Sequence, residues 1–260
     1  MANKTFSITF GDVAENHKGM QMIGQRSADG FTLDDLQQMQ AWFEANHATC
    51  RLIPLHELLD EHCQQDPRNQ AYILVVKKAA NALLGKEDGA DMLFTEQDAL
   101  EKDTKAFMYG RVVNKHARHN LCFGEAHQEP DYANGKGTVY AFDEVPLLHQ
   151  IREKLGEILP EKASQLQAEG NYYYNVAKCG IGYHGDAERK KVIAFRLGAN
   201  IPLCYAWFHN NAKCSDKLTI PDLEHGDMYV MSEKATGYDW RSKSKYTLRH
   251  AAGCDKYTKL

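Results

Sequence analysis

Residues 172–186 read Tyr-Tyr-Tyr-Asn-Val-Ala-Lys-Cys-Gly-Ile-Gly-Tyr-His-Gly-Asp, and the apolar run Val192 to Gly198 follows them. Short apolar or aromatic pieces separated by Gly, Asn and Asp are typical of strands joined by turns. Such pieces recur to the end of the chain, at residues 172–178, 192–198, 202–208, 217–223, 228–232 and 245–251. Short strands at regular spacing favour a β-sandwich or jelly roll.

Helical periodicity is strongest outside this β-rich region. Thr32 can cap a helix that starts at Leu33, with Asp35 placed for a capping box. A second helix is predicted over residues 71–84, ending at Gly85, and a surface connection over residues 86–105. Pro146 opens an amphipathic helix that should back a sheet.

These patterns predict an α+β protein with two parts. Residues 1–104 are predicted to form a helical N-terminal extension, and residues 105–260 a β core with helices packed outside. The segment from about 107 to 140 contains short β-like pieces broken by polar turns, which indicates a loop-rich hairpin region. The 260 residues are enough to bury a full core without staples.

Composition excludes several classes of protein. Hydrophobic residues make up 43% and charged residues 25% of the chain, and no apolar run reaches the length of a membrane span. The first residues lack the apolar stretch of a secretory signal, so we expect a cytosolic or nuclear location. The 7 cysteines form no C-x-x-C pair, and the net charge of −4 offers no general attraction for nucleic acid.

The triplet His184-Gly185-Asp186 is the first candidate for chemistry. It follows one predicted strand and precedes another, so a jelly roll would point its imidazole and carboxylate into the barrel. Those two groups are part of the two-His-one-carboxylate set that leaves positions on iron(II) open. A second triplet, His225-Gly226-Asp227, precedes Met228 and is interpreted as a structural corner of a hairpin.

From about Phe107 to Gly253 the chain resembles the AlkB-like oxygenases. The matching pieces occur in family order: the stretch around Tyr109, the helix after Pro146, Asn175 near a strand end, the two His-Gly-Asp triplets, and Lys243-Ser-Lys-Tyr-Thr-Leu-Arg249. The resemblance implies a double-stranded β-helix (a jelly roll, cupin-like) with iron(II), 2-oxoglutarate and molecular oxygen as cofactors. It also implies that the closing strand holds 2-oxoglutarate.

Residues 245, 247 and 249 of a strand share one face, which would place Arg249 beside Thr247. We expect Arg249 to pair with the distal carboxylate of 2-oxoglutarate, because a guanidinium can do so through two hydrogen bonds. Lys243 stands where the family has arginine, and Asn175 is a further candidate for binding the co-substrate. The alternative for Arg249 is a solvent-facing charge on an edge strand.

The third metal ligand is the main departure from the family pattern. Where the family supplies its second His, this chain has Trp240, and an indole cannot coordinate iron(II). We predict that Asp239 supplies the ligand instead, with Trp240 as a wall of the pocket. Three alternatives remain open: a two-ligand site with extra water, Tyr238 as the ligand, or His209 or His250 reaching the metal from a neighbouring strand.

Clues to the substrate lie in the predicted lid at residues 107–140. Tyr109, Arg111, Lys115 and Arg118 combine an aromatic ring with basic groups, which suits base stacking and phosphate contact. The resemblance implies a nucleobase substrate in a nucleic acid or a free nucleotide, hydroxylated or demethylated. Solvated charges on a hairpin are the alternative interpretation.

The sequence thus predicts an Fe(II)/2-oxoglutarate-dependent oxygenase in which His184, Asp186 and Arg249 carry catalysis. Two rival functions use the same residues differently. One is a catalytically silent relative that binds nucleic acid or protein, suggested by the missing second His. The other is a cupin-like metal enzyme without 2-oxoglutarate. Within the predicted class, the alternative is an oxygenase acting on a peptide or small metabolite.

Overall fold

The secondary structure is described from a computed structural model of residues 3–221 and 223–260. Met1, Ala2 and Asp222, the last within the predicted strand 217–223, lie outside the described residues. The strands are β1 (Thr5–Gly11), β2 (Val13–Glu15), β3 (Met22–Gly24), β4 (Cys50–Pro54), β5 (Tyr72–Val76), β6 (Lys105–Met108), β7 (Arg111–Asn114), β8 (His119–Gly124), β9 (Val139–Ala141), β10 (Gln167–Tyr173), β11 (Gly180–His184), β12 (Val192–Gly198), β13 (Leu203–His209), β14 (Ala212–Lys213), β15 (Leu218–Thr219), β16 (Met228–Met231) and β17 (Thr247–Gly253). The helices are α1 (Leu33–Ala45), α2 (Glu61–Gln64), α3 (Ala79–Leu84), α4 (Gly89–Ala99), α5 (Pro146–Ile158), α6 (Pro160–Ala163) and α7 (Asp255–Thr258).

Two sheets and a layer of helices make an α+β fold, as predicted. The main sheet has the order β4-β5-β16-β12-β1-β10-β8-β9, and the second sheet has the order β11-β17-β13-β14 with β15 also paired to β13. Apolar side chains from both sheets, such as Ala194 and Tyr229 from one and Leu203 and Leu248 from the other, form a shared core. The opposite face of the main sheet packs against α1, α3, α4 and α5.

The N-terminal region differs from its prediction as an outer helical extension. Strand β1 lies inside the main sheet, hydrogen-bonded to β10 on one side and β12 on the other. The residues Thr5 to Phe10 alternate polar and apolar, a period-2 pattern that sends the three apolar side chains toward the helices. Residues 1–104 therefore contribute strands to the core of the protein and not only helices to its outside.

Other elements were predicted with mixed success. Helix α1 has the predicted capping box of Thr32 and Asp35, and α5 begins at Pro146 as expected. The predicted helix over residues 71–84 is instead strand β5 followed by α3, because the buried run Tyr-Ile-Leu-Val-Val favours a strand between two neighbours. The predicted surface connection 86–105 contains α4.

No helix within residues 3–221 and 223–260 is long and apolar enough to cross a membrane. This finding agrees with the apolar-run analysis of the sequence, which predicted no membrane span.

Candidate metal centre and cavity

Three potential metal ligands meet at the second sheet. His184 ends β11 and is paired in register with His250 of β17, while Asp186 lies two residues beyond His184. Asp186 Oδ1 is 3.5 Å from His184 Nε2 and 3.6 Å from His250 Nε2. Their ligand atoms all lie within 4.8 Å of one another, so the three residues could hold a metal ion. Two imidazoles and one carboxylate are the ligand set typical of non-haem iron(II).

The turn after β11 fixes the carboxylate of this group. The backbone N–H of Asp186 donates to Thr236 O at 2.9 Å. A Cβ at position 185 would lie 2.1 Å from Gly237 O, so the turn passes too close to the neighbouring backbone for any other residue. The middle glycine of the triplet is therefore required by the close approach of two loops, which sets the position of Asp186.

A backbone carbonyl orients the imidazole of His184. His184 Nδ1 lies 2.8 Å from Gly182 O, and a carbonyl can only accept, so Nδ1 carries the proton. Nε2 of His184 faces Asp186 and His250. This arrangement of a carbonyl behind a histidine is the usual outer support of a metal ligand.

Burial and charge tune the group toward metal binding. Burial, together with nearby His184, lowers the pKa of His250 to about 4, so His250 is neutral near pH 7. Burial alone would raise the pKa of Asp186, but His250, His184 and Arg189 outweigh it and hold that pKa below its ordinary value. Since His250 is neutral at pH 7, the lasting positive partner is Arg189, whose Nε lies 3.8 Å from Asp186 Oδ2. A neutral imidazole beside an ionised carboxylate suits a divalent cation.

Arg189 supports this carboxylate from behind. It is 3% exposed, and its Nη2 is 2.6 Å from Glu169 Oε2 and 3.0 Å from Glu188 Oε1. The two glutamates hold the guanidinium in place, and burial without these partners would be costly. Arg189 therefore links Asp186 to the main sheet through Glu169 of β10.

The group of His184, Asp186 and His250 opens onto a cavity of about 670 Å³ between the two sheets. On the main-sheet side, a row of polar residues crosses four adjacent strands in register: Arg196 of β12, Ser7 of β1, Asn171 of β10 and Asn120 of β8. The row faces the cavity because the residues that alternate with it on β1 and β12 pack against the helices. The cavity thus has a metal-binding wall and a polar wall.

Arg196 is the most unusual residue of the polar wall. It is 0% exposed, and Nε, Nη1 and Nη2 all lack hydrogen-bond partners within residues 3–221 and 223–260. Its guanidinium carbon lies 5.9 Å from the ring centre of Tyr229, while its backbone is fixed by a 2.8 Å bond from its N–H to Asp227 O. A buried cation without a partner is strongly unfavourable, so this guanidinium is set up to receive an anion.

Asp239 is not part of the metal group, and the prediction that it supplies the third ligand is wrong. Its Oδ2 lies 2.8 Å from Lys234 Nζ, and both side chains are less than 10% exposed. The described His, Cys, Asp and Glu side chains that gather around Asp186 are His184 and His250. His250 from a neighbouring strand was one of the alternatives, while His209 is exposed and stacks on Tyr246.

Arg249 and Thr247 lie on the wrong face of β17 for the predicted co-substrate site. Side chains of a strand alternate, and His250 points to the cavity, so its neighbour Arg249 points outward. The Arg249 guanidinium lies 4.2 Å from the Phe208 ring centre and 5.2 Å from that of Trp240. Thr247 donates to Phe208 O. The prediction of Arg249 as the 2-oxoglutarate anchor is therefore wrong.

The remaining co-substrate candidates also lie elsewhere. Asn175 Oδ1 accepts from the backbone N–H of Ala177, which makes it a turn residue. The side chain of Lys243 is exposed, and its backbone carbonyl accepts from Asn210. Neither residue is among the described ones that line the cavity. Trp240 does line it, as predicted for a wall of the pocket.

The predicted lid at residues 107–140 contributes less to the cavity than expected. Tyr109 is 90% exposed at the tip of the β6–β7 hairpin, and Arg111 is exposed beside it. Lys115 turns inward to bond Asn16 and Asn120. Of the predicted substrate residues in this segment, Arg118 is the one that lines the cavity. The β2–β3 hairpin contributes more to the cavity wall, through residues 15–19 and Met22.

The second triplet forms a structural corner, in agreement with its interpretation. Asp227 is 1% exposed and accepts hydrogen bonds from Lys77 Nζ, Lys78 N and Glu224 N. His225 Nδ1 accepts from the backbone N–H of Gly198. The bonds to Lys77, Lys78 and Gly198 join the turn before β16 to other segments of the chain.

Two residues of the site were not assigned by the sequence: His250 stood among several alternatives, and Arg196 was missed. The signal for Arg196 was available, because it is a charged residue inside Val-Ile-Ala-Phe-Arg-Leu-Gly, a run otherwise typical of a strand buried on both faces. A charge at such a place requires a partner or a ligand.

Comparison with known proteins gives one informative result. No family model matches the chain. The chain is 47% identical over 256 residues to the uncharacterized protein R156 of Acanthamoeba polyphaga mimivirus, an alignment that covers 98% of each chain. This chain belongs to the same family as that mimivirus protein. The shared length includes both walls of the cavity, so the relative should contain the same two-sheet core.

Proposed function

We propose that this protein is an iron(II)- and 2-oxoglutarate-dependent oxygenase whose two sheets form a double-stranded β-helix. The observation that carries the proposal is the placement of the His184, Asp186 and His250 group in one cavity with an unpartnered buried arginine, Arg196. The first feature suits iron(II), and the second suits the far carboxylate of an oxoacid.

The residues present fit both cofactors. His184 and His250 each offer an imidazole nitrogen next to one ionised carboxylate, which leaves positions on an octahedral metal for a chelating oxoacid and for oxygen. Arg196 has all its guanidinium nitrogens available, and 2-oxoglutarate carries a carboxylate at each end. When bound, the metal and 2-oxoglutarate would supply the oxidising power, with succinate and carbon dioxide as products.

The protein's own residues would bind, orient and shield. Arg196 would pair with the distal carboxylate and so set the depth of the co-substrate in the cavity. Gly182 O keeps the proton on Nδ1 of His184, so that Nε2 faces the metal position. The β2–β3 hairpin lines the cavity and would limit the entry of water.

The positions of His250 and Arg196 disfavour two rival functions. A catalytically silent module was suggested by a missing second His, and His250 removes that reason. In an oxygenase that works without 2-oxoglutarate, Arg196 would have no anion to bind. A buried cation such as Arg196 needs one. A nucleobase substrate stays a prediction, supported by Trp240 and Arg118 in the cavity wall.

Anaerobic titration tests the proposed function. Iron(II) and 2-oxoglutarate are added to the protein without oxygen, and the visible charge-transfer band of a chelated complex is recorded. We expect the band in the native protein and its loss in His250→Ala. Iron(II) binding without any band on addition of 2-oxoglutarate would reject the oxoacid, and absence of iron(II) binding would reject the oxygenase.

The substrate class can be screened with the same protein. Methylated oligonucleotides and nucleotides are compared with peptides and small metabolites as stimulants of succinate formation. We expect stimulation by a nucleobase substrate. Stimulation by peptides or metabolites alone would overturn the nucleobase prediction and leave the oxygenase proposal standing.

A further inference from the structure

The cavity contains a second arginine that no carboxylate neutralises. Arg118 lines the cavity, and its Nε donates to Asn171 Oδ1 at 2.5 Å. Within residues 3–221 and 223–260 it forms no ion pair with an Asp or Glu side chain. A guanidinium remains charged at any physiological pH, so this cation needs either water or an anion.

A buried network holds Arg118 in place. Asn171 Oδ1, which accepts from Arg118, also accepts from Asn120 Nδ2 at 2.9 Å. Asn171 Nδ2 donates to Glu169 Oε1 at 3.2 Å, and Asn120 Oδ1 accepts from Lys115 Nζ at 2.9 Å. Because its acceptor is fixed from several sides, the guanidinium is pre-oriented, which lowers the entropy cost of binding a ligand.

A second cation, Arg196, lines the same cavity as Arg118. Burial raises the pKa of the Tyr173 hydroxyl, whereas Arg118 and Arg196 both lower it, so the two cations act on one phenol. Among the acidic residues of the cavity wall, Glu169 and Glu188 are paired with Arg189. Arg118 and Arg196 therefore place two guanidinium groups on the side of the cavity that bears the polar row.

The mouth of the cavity adds to this positive side. Lys18 Nζ lies 6.0 Å and the Arg241 guanidinium carbon 5.6 Å from the ring centre of Trp240, and all three residues line the cavity. An organic anion that enters between them would pass an aromatic face before it reaches Arg118. Glu15 also lies at the mouth, but burial raises its pKa to about 7, so it is only partly charged near neutrality.

We propose that Arg118 binds an oxyanion of the primary substrate, a carboxylate or a phosphate, while Arg196 binds the co-substrate. This inference rests on the proposed function for the division of labour between the two arginines. The substrate would then be an anionic molecule whose charged group is held on the polar wall, with its reacting carbon directed to the His184, Asp186 and His250 group. Neutral and purely cationic substrates would bind poorly.

The test uses Arg118→Gln, with Arg111→Gln as the matched control, since Arg111 is exposed and does not belong to the described cavity wall. Inorganic phosphate and acetate serve as probes. Their binding to the cobalt(II)-loaded protein with 2-oxoglutarate is followed by paramagnetic broadening of the phosphate and acetate resonances. Binding of 2-oxoglutarate is followed separately by the charge-transfer band with iron(II).

We expect Arg118→Gln to weaken binding of at least one probe roughly tenfold to a hundredfold, the range for a lost charge-assisted pair. Arg111→Gln should bind both probes like the native protein, and 2-oxoglutarate should half-saturate all three proteins at similar concentrations. Whether acetate or phosphate responds identifies the oxyanion. Equal probe binding by both variants would overturn the proposal, as would a loss of 2-oxoglutarate affinity in Arg118→Gln.

Two further outcomes keep the test decisive. If Arg118→Gln fails to fold, Arg118→Lys replaces it: this variant keeps the charge but loses the two-pronged contact, and the proposal requires weaker probe binding with unchanged 2-oxoglutarate affinity. If native protein gives no charge-transfer band, the proposed function fails. Phosphate and acetate protection against thermal unfolding, compared between Arg118→Gln and Arg111→Gln, would then still decide whether Arg118 is an anion site.

Discussion

The chain contains the triplet His-Gly-Asp twice, at residues 184–186 and 225–227, and the two copies have different structural environments. In the second copy, Asp227 accepts from Lys77, Lys78 and Glu224, and His225 accepts from Gly198. These bonds are made within the protein. In the first copy, His184 uses only Nδ1 for a hydrogen bond within the protein, and its Nε2 and the Asp186 carboxylate lie beside His250 at the wall of a cavity.

The difference lies in where the polar atoms are satisfied. The Asp227 oxygens are satisfied inside the fold, and His225 Nε2, which has no hydrogen bond among the described residues, lies 3.4 Å from Asp91 Oδ1 and outside the described cavity wall. The first triplet instead keeps ligand atoms at a shared cavity. The sequence of the triplet is the same in both places, so it cannot separate a metal site from a strand corner. The third partner separates them: His250 joins the first triplet, and a lysine joins the second.

The largest expected effect concerns metal affinity. His184→Ala and His250→Ala should each weaken iron(II) or cobalt(II) binding roughly 100-fold or more, because each removes a direct ligand from a three-residue site. His225→Ala should bind metal like the native protein. Anaerobic equilibrium dialysis measures all three. Metal loss in His225→Ala, with native binding in His184→Ala and His250→Ala, would mean that the second triplet, not the first, carries the metal.

The second expected effect concerns stability. Asp227→Ala removes an acceptor from two backbone N–H groups and breaks a buried ion pair with Lys77, and should lower the free energy of unfolding by about 2–4 kcal/mol. Asp186→Ala should cost clearly less in the metal-free protein, because its partners retain other bonds to Glu169 and Gly182. Urea unfolding without metal compares the two. Equal losses would contradict a structural role confined to Asp227.

Elements of the fold were predicted correctly where neighbouring residues determine them and were missed where distant strands do. Local signals worked: the capping box of Thr32 and Asp35 and the start of α5 at Pro146 are as predicted. Strand β1 was missed, because its neighbours β10 and β12 lie more than 150 residues away and no local turn marks it. Strand β5 was predicted as helix, since an apolar run of this length fits either structure until its partners are known.

The site shows the same limit. His184 and Asp186 were found because they are close in sequence, whereas His250 is brought to them by pairing of β11 with β17. The Arg249 prediction is wrong by one residue. A strand sends alternate side chains to opposite faces, so the prediction that Arg249 points inward disfavoured its neighbour His250, which remained only an alternative ligand. The register of a strand is fixed by its tertiary partners, which the sequence does not name.

A third prediction extends the contrast to the arginines Arg196 and Arg249. Arg196→Met should raise the 2-oxoglutarate concentration needed for the charge-transfer band roughly tenfold to a hundredfold, whereas Arg249→Met should change it less than about twofold. In the ligand-free protein Arg196→Met should also raise the free energy of unfolding, by about 1–3 kcal/mol, because it removes a buried cation without a partner. A destabilised Arg196→Met with unchanged 2-oxoglutarate affinity would show that Arg196 is a structural residue.

The smallest expected effect on the metal belongs to Asp239, the ligand that the sequence favoured. Its Oδ2 is occupied by Lys234 at 2.8 Å, and Lys234 also donates to Tyr246 O, so this pair ties the turn after β16 to the start of β17. Asp239→Asn keeps an acceptor for Lys234 but removes the charge, and should lower the free energy of unfolding by about 1–2 kcal/mol. Iron(II) affinity, measured by the same dialysis, should stay within about twofold of the native value, because Asp239 lies outside the group around Asp186. A tenfold weaker metal site in Asp239→Asn, with Asp227→Asn as the control that leaves metal binding intact, would return Asp239 to the metal and remove His250 from its assigned place.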